Sequence, residues 1–559
     1  MNLVLQLAMA LVSVFSVQLL FYKLREFITR HPSCSGSGKG VILKYGPNRY
    51  PLVGSLFAFW KNRRRHIEWA AEMLAESPTQ TIVVERLGGI RTVLTANPEN
   101  LEHILKTRFD NYPKGNPFTA ILHDLLGKGI FNADGDTWKL QRKVASYEFS
   151  SGSLRNFVLK VVEEVTDRLL PMLHNASETG RCLNLQDILQ RFAFDTICKV
   201  AFGVDPAWLD GRFAESELAG ALDVAAKLSA GRSAAPIQLV WKMKRMLNIG
   251  SEKRLSEAVA VVHEFAMEVI RRRRSQISNG GCTASDSKWE QSDLLSRFMV
   301  LSSTNSNSTC KGHGHDMPTD AMGVEREDCC SDEFLRDMII SFILAGRDTT
   351  SSALTWFFWL LSSHPHVGEA IYKEIAHLIA ARSQDIDSSS SSPVLFSYKE
   401  MQNMHYLHAS ICESMRLYPP VLLDSKHALH NDVLPDGTFV GKGTRVTYHP
   451  YAMGRMNAIW GADCLQFKPE RWVNKDGHFV PQSPFKFAVF QGGVRVCLGK
   501  EMAFIEMKFV AATVISMFRL QPPVDSRQRT PKLVHCLTAR MEGGFPVVVQ
   551  RRTTTPFPT

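Results

Sequence analysis

The sequence predicts a mainly α-helical protein with small β-sheets, folded as one large domain behind an uncharged apolar segment. Three observations lead there. Long stretches repeat apolar residues at three- and four-residue spacing, strand-type runs are few and short, and Met1 to Tyr22 carries no charged side chain. The 559 residues, 45% hydrophobic and 21% charged, have the make-up of a folded chain rather than a disordered one. A balance of 65 basic to 55 acidic residues leaves +10, which suits contact with anionic lipid or an acidic partner. No compact basic helix with interleaved aromatics is present, so nucleic acid is not an expected partner. The 11 cysteines are odd in number and lack framework spacing, which argues against a disulfide scaffold.

Leu3–Tyr22 is long enough to span about 30 Å as a helix. Lys23, Arg25 and Arg30 follow at once, with Arg63, Arg64 and Arg65 further on, and positive charge after a span places the remainder on the cytosolic side. A cleaved signal peptide is disfavoured, because a basic leader and a small-residue cleavage site are both missing. Pro47-Asn-Arg-Tyr-Pro51 makes a stiff turn. The expected organisation is a transmembrane anchor at 1–22, a basic linker and proline hinge at 23–52, the main domain at 53–552 and a tail at 553–559.

Within that domain, Thr81–Arg86 and Arg91–Ala96 flank Gly88-Gly89 and read as a hairpin. Helical periodicity marks Leu154–Leu173, Gln186–Phe202, Ser251–Arg274, Asp332–Ser363, His366–Ala381 and Asn403–Tyr418. Strand signals return at Thr438–Tyr448 and Phe545–Gln550. Ser275–Cys330, polar except for Asp293–Leu301, and the serine run Ser388–Ser392 bury too little to offset their ordering entropy, so both are expected as surface insertions. Cys310, His313, His315, Cys329 and Cys330 fall in the first, but without CxxC…HxxxH spacing, and a solvated loop is expected over a zinc site.

Chemistry concentrates at Phe490-Gln-Gly-Gly493-Val-Arg495-Val-Cys497-Leu-Gly499, followed by a helical pattern from Lys500. A cysteine just before a helix is favoured as thiolate by the helix dipole and nearby N–H groups. Gly493 and Gly499 let the loop approach a flat group closely. Arg495 is placed to reach an anionic group with a bidentate bond, and Phe490 to cover the sulfur and exclude water. Alone, such a cysteine reads equally well as an inert residue in a turn before a core helix.

The pattern FxxGxRxCxG resembles the haem-binding signature of the cytochrome P450 family, and three further segments stand in that family's order. The resemblance implies haem b with Cys497 as axial iron ligand and Arg495 at a propionate. Glu413-Ser-Met-Arg416 resembles the family's ExxR motif, whose spacing puts both charges on one helix face. Phe467-Lys-Pro-Glu-Arg471-Trp resembles the PERF segment, which implies a buried Glu413–Arg416–Arg471 network that specifies structure around the cysteine loop. Trp138-Lys-Leu-Gln-Arg142 resembles WxxxR, a pair of donors to the haem propionates.

Ala345-Gly-Arg-Asp348-Thr349-Thr lies inside the longest helical pattern, where Gly346 weakens the helix by about 1 kcal/mol and the threonines compete for backbone carbonyls. Local distortion is expected there. The segment resembles the family's AGxDTT groove, which implies that Thr349 hydrogen-bonds dioxygen and Asp348 relays protons. The implied chemistry is monooxygenation, with NADPH electrons arriving through cytochrome P450 reductase.

Asn116-Pro-Phe-Thr, Gly129-Ile-Phe-Asn-Ala-Asp-Gly, Asp432-Val-Leu-Pro-Asp-Gly and Tyr451-Ala-Met-Gly-Arg are similar to the plant fatty-acid hydroxylase clan, closest to its family numbered 94. Two departures stand in the cysteine loop: Gly492 where the clan usually has alanine, and Val494 where it often has proline. The resemblance implies ω-hydroxylation of fatty acids, or oxidation of jasmonoyl–isoleucine, at the endoplasmic reticulum membrane. Attack on a terminal methyl must be enforced by a narrow channel with a polar anchor far from the iron. Wall residues implied by the resemblance are Phe118, Ile121, Leu122, Phe342, Val421 and Leu422; the anchor is not identifiable from sequence. A peroxide-using haem-thiolate isomerase and a non-enzymatic haem sensor are the alternatives of other classes, and Asp348-Thr349 argues against the isomerase.

Overall fold

In the computed structural model, residues 45–552 are described apart from 49–53, 87–89, 150, 211–216, 236, 280–292, 304–330, 383–395 and 525–529. The anchor expected at 1–22, most of the hinge, the tail, the serine run and Cys310 to Cys330 lie outside the described residues. Among the described residues, no helix is long and apolar enough to cross a membrane.

One long helix organises the molecule. It runs Asp332–Ile343, passes through a π-helical turn at Leu344–Asp348 and continues as Thr349–Ser363. Its first half packs into one apolar core with Leu335, Ile339 and Phe342, and its second half into another with Leu354, Trp356 and Phe357. A helix serving two cores is enclosed on nearly every side, and these halves are buried almost throughout, polar residues such as Asp337, Ser351 and Thr355 included. The helices Leu185–Phe202, His405–Leu417 and Lys500–Met517 pack against it. The last is buried without a break from Phe504 to Ser516, so it too is enclosed by protein.

A four-stranded sheet stands beside this bundle, in the order Thr81–Glu85, Arg91–Thr95, Arg445–Tyr448, Asp424–His427. The hairpin is antiparallel as expected, the Arg91 and Arg445 strands are parallel, and the last pair is antiparallel. Side chains alternate between faces, so Asp424, Lys426, Val446 and Tyr448 share one face while Ser425, Arg445 and Thr447 share the other.

Three boundaries differ from expectation. The pattern at 154–173 belongs to a longer helical run, Ser151–Glu164 through a π-helical turn to Leu170–Thr179. Thr438–Tyr448 divides into Phe439–Val440 and Arg445–Tyr448, because Gly443 takes φ +76° in the turn between them. The helix from Ser251 continues to Asn279, so 275–279 belong to it and not to the insertion. Arg273 tethers that end, pairing with Asp293 and donating from Nε to Ser296 Oγ at 2.8 Å beside the helix Leu294–Ser303.

Candidate haem and oxygen site

The loop that carries Cys497 is fixed by close packing. Cys497 N donates to Phe490 O at 2.8 Å, and the Phe490 ring lies 5.1 Å from that of Phe504 on the following helix. Gly493 takes φ +64°, and a Cβ there would stand 2.1 Å from Leu105 O. Gly492 is explained by Phe485, whose ring would lie 2.7 Å from an added Cβ. The Cys497 side chain is accessible although protein packs closely around it. Burial pushes its thiol up from the ordinary value, against the Gly499 N–H and the charge of Arg142, which pull it down. A cation at the sulfur would add to the N–H and the Arg142 charge in favouring the thiolate.

Beside the loop lies a cationic cluster. Trp138 is buried on the helix Gly135–Ser146, with the Arg495 guanidinium 4.3 Å and the Arg142 guanidinium 5.6 Å from its ring. Arg142 Nη2 donates to Val496 O at 2.7 Å, clasping the loop one residue before the cysteine. Arg495 donates to Asp134 Oδ1 at 2.6 Å and to Ala133 O at 3.1 Å, so part of its fork already orders the turn that starts the Trp138 helix.

Lys426 was not singled out by sequence. Its strand, Asp424–His427, is polar at every position and buried at every position. Lys426 Nζ is buried without a hydrogen-bond partner, 3.6 Å from Asp424 Oδ2. Asp424 is already served by Lys114 Nζ at 2.6 Å and by the Tyr448 hydroxyl at 2.8 Å. Burial and the neighbouring Lys114 push the Lys426 amine well below its ordinary value. Four cations, Lys114, Lys426, Arg142 and Arg495, thus stand with two carboxylates, Asp134 and Asp424. Basic side chains outnumber carboxylates here by two, which suits a group with two carboxylate arms, and a buried amine without a hydrogen bond is the place for one of them. Haem fits this donor set.

The Glu413 cluster is closed by comparison. Arg416 donates to both Glu413 oxygens, at 2.7 and 2.8 Å, and Arg471 Nε donates to Oε1 at 3.0 Å. Trp472 Nε1 and Lys468 N complete the carboxylate's shell at 2.9 and 3.0 Å. Arg416 also donates to the carbonyl oxygens of Gly454, Cys464 and Gln466, and Arg471 to those of Trp460 and Asp463. The network therefore holds the segment 454–472, which leads into the cysteine loop.

The central helix distorts where expected, through the π-helical turn Leu344–Asp348. Thr349 Oγ1 donates to Ala345 O at 2.6 Å. Gly346 has a further reason: a Cβ there would lie 2.7 Å from Ile197, so it permits close approach of the Leu185–Phe202 helix. Asp348 Oδ1 receives Arg347 Nη1 at 2.9 Å and Arg540 Nη2 at 3.3 Å, while Oδ2 is buried without a partner. Arg347 and Arg540 both reach Asp223, and although burial works the other way, these two cations hold its carboxyl below the ordinary range. Asp223 and Arg540 lie far from the motif in sequence, and only folding brings them to it.

Of the expected wall residues, Phe118, Ile121, Leu122 and Phe342 share one apolar cluster. Leu422 joins a separate small cluster with Ile67, Tyr451 and Ala539, and Val421 is half-buried beside it in sequence.

The cytochrome P450 family model matches residues 45–542. The chain is 46% identical to cytochrome P450 94B1 of Arabidopsis thaliana, over 90% of this chain and 91% of that one. It is 44% identical to cytochrome P450 94A1 of Vicia sativa, over 90% of each, and 47% identical to cytochrome P450 94C1 of Arabidopsis thaliana, over 87% and 89%. The fold matches the crystal structure of the cytochrome P450DA heme domain with a TM-score of 0.68 at 20% identity, covering 90% of this chain and 97% of that one. With the Cys497 loop, the Glu413 cluster and the distorted central helix all in place, the chain belongs to the cytochrome P450 family and is a haem monooxygenase related to its members numbered 94.

Proposed function

We propose that this enzyme is a fatty-acid ω-hydroxylase, taking electrons from NADPH through cytochrome P450 reductase. The observation that carries the reading is the convergence of an accessible cysteine, a surplus of two basic side chains and a buried unpartnered Asp348 oxygen beside Thr349. Bound haem supplies the oxygen chemistry. The chain supplies the rest. Cys497 gives the sulfur ligand; Trp138, Arg142, Arg495 and Lys426 hold the propionates; Gly493, Gly499 and Phe490 shape and dry the loop. Asp348 moves protons through its free oxygen, and Thr349 offers a hydroxyl at the distorted turn. Phe118, Ile121, Leu122, Phe342, Val421 and Leu422 wall the channel for an aliphatic chain. Residues 1–22 anchor the enzyme in the endoplasmic reticulum membrane, 23–52 form the hinge, and 53–552 face the cytosol.

The identity of 44–47% is spread evenly over relatives numbered 94A1, 94B1 and 94C1, which makes jasmonoyl–isoleucine 12-hydroxylation the second reading. The deciding assay gives the holoenzyme, reductase and NADPH either dodecanoic acid or jasmonoyl–isoleucine. Terminally hydroxylated dodecanoate supports the first reading, and turnover of the conjugate alone transfers it to the second. Peroxide-driven rearrangement without NADPH, or no NADPH-dependent turnover of either, overturns both.

A further inference from the structure

A cavity of about 200 Å³ lies on the sheet face that carries Arg445 and Thr447, bordered by the helices Leu56–Lys61 and His66–Glu76. This face is the reverse of the one that bears Asp424 and Lys426. Much of its wall is apolar, with Phe59, Trp69, Met73, Leu94 and Leu423, and Arg63 stands at it as well. Arg86 and Arg445 are set into those walls, and among the described residues no carboxylate lines the cavity.

Neither guanidinium has an ion pair among the described residues. Arg445 sits opposite Thr92 in the sheet, and its Nε–H donates to Ser425 Oγ at 3.0 Å, which leaves the terminal nitrogens for something else. Arg86 stands 5.9 Å from the Phe59 ring. Burial lowers both side chains from the ordinary arginine value, Arg445 to about 10, where the charge of Arg86 lowers it further. Two like charges among apolar walls are costly without an anion, and a bound anion reverses the sign of that interaction.

A chain of hydrogen bonds links one wall of the cavity to the central helix. Leu423 lines it, and three residues earlier Pro420 O accepts from Ala539 N. Ala539 O accepts from Ser352 Oγ at 2.6 Å, about one helical turn beyond Thr349. The segment Pro420–Leu423 therefore runs from the oxygen helix to the cavity.

We propose that this cavity holds the carboxylate of the aliphatic acid substrate, with Arg86 and Arg445 as its anchors. The proposal rests on the reading of the enzyme as a hydroxylase of aliphatic acids and adds where the polar end sits. With the acid held here, the alkyl chain extends past Leu423 and Val421, and the carbons furthest from the carboxylate meet the haem. Two guanidiniums match carboxylate oxygens by charge and by fork geometry. Attack at the far end of the chain then follows from where the near end is tied.

The test measures dissociation constants by substrate-induced difference spectra in the holoenzyme, for dodecanoic acid, its methyl ester and an N-dodecanoyl amino acid. Arg86→Gln is expected to weaken dodecanoic acid about tenfold or more, since a charge-assisted bond is lost, and the ester less than twofold. Arg86→Lys recovers part of the loss, and the thermal midpoint of each variant separates misfolding from lost binding. The N-acyl amino acid weakening in parallel extends the site to conjugates; its staying unchanged confines the site to free fatty acids. Equal weakening of acid and ester, or an unchanged acid, overturns the anchor. A wild-type enzyme that binds the ester as tightly as either acid overturns the aliphatic-acid reading itself and the anchor with it.

Discussion

Two buried ionic clusters lie on either side of the cysteine loop, and they are built on opposite principles. Around Glu413 every charge has its partner: one carboxylate takes five donated hydrogen bonds, and the two arginines spend their remaining donors on carbonyl oxygens. Around Lys426 the count does not close, because an amine is left without a hydrogen bond and cations outnumber carboxylates by two. A complete network specifies structure; an incomplete one awaits a ligand. The same residue types serve as scaffold in one place and as cofactor cradle in the other, and the difference lies in satisfaction rather than in composition.

The comparison breaks most visibly at Glu413. Glu413→Ala leaves Arg416 buried against no counter-charge, while Arg471 keeps Asp463, and a loss of about 3–5 kcal/mol is expected in urea unfolding. A loss below about 1 kcal/mol would mean that the network is not the scaffold described. At Asp348 the buried free oxygen is the working part, so Asp348→Asn is expected to slow turnover about 100-fold. Substrate difference spectra should be retained in that variant, and the solvent isotope effect should rise.

Lys426→Met sharpens the contrast because it should act in opposite senses on two readouts. Haem transfer to apomyoglobin is expected to quicken about tenfold, since a propionate loses its charged partner. The haem-free chain should unfold no earlier than wild type, because a buried amine without a hydrogen bond has been removed while Asp424 keeps Lys114. Parallel losses in both would return Lys426 to the scaffold.

Glu506 supplies a third kind of buried acid. Its carboxyl has an unpartnered oxygen, and burial alone pushes it up to about 8. The unfolded chain releases that proton near 4.5 while the folded chain keeps it to about 8, so stability falls as pH rises through this window. Glu506→Gln is expected to flatten the dependence, read from urea midpoints at several pH values across it.

Much of this was legible in the sequence because the decisive residues are adjacent in the chain. Phe490 to Gly499 form one loop, Glu413 and Arg416 sit one helical turn apart, and Asp348 and Thr349 are neighbours. What was not legible depends on pairings across long separations. Lys426 lies in a strand whose four polar residues suggest an exposed edge, and only pairing with Arg445–Tyr448 and contact with Lys114 reveal that it is buried. Asp223 reaches Arg347, and Arg540 reaches Asp348, from opposite directions along the chain. The burial that works against the Cys497 thiolate is likewise not readable from sequence.

The central claim is that the sulfur of Cys497 ligates the haem iron within this frame. The direct measurement is the reduced carbon-monoxide difference spectrum of the wild-type enzyme and of Cys497→Ser. The wild type is expected to give the red-shifted Soret band of thiolate ligation, and the variant to lack it. The same red-shifted band in Cys497→Ser would contradict the assignment.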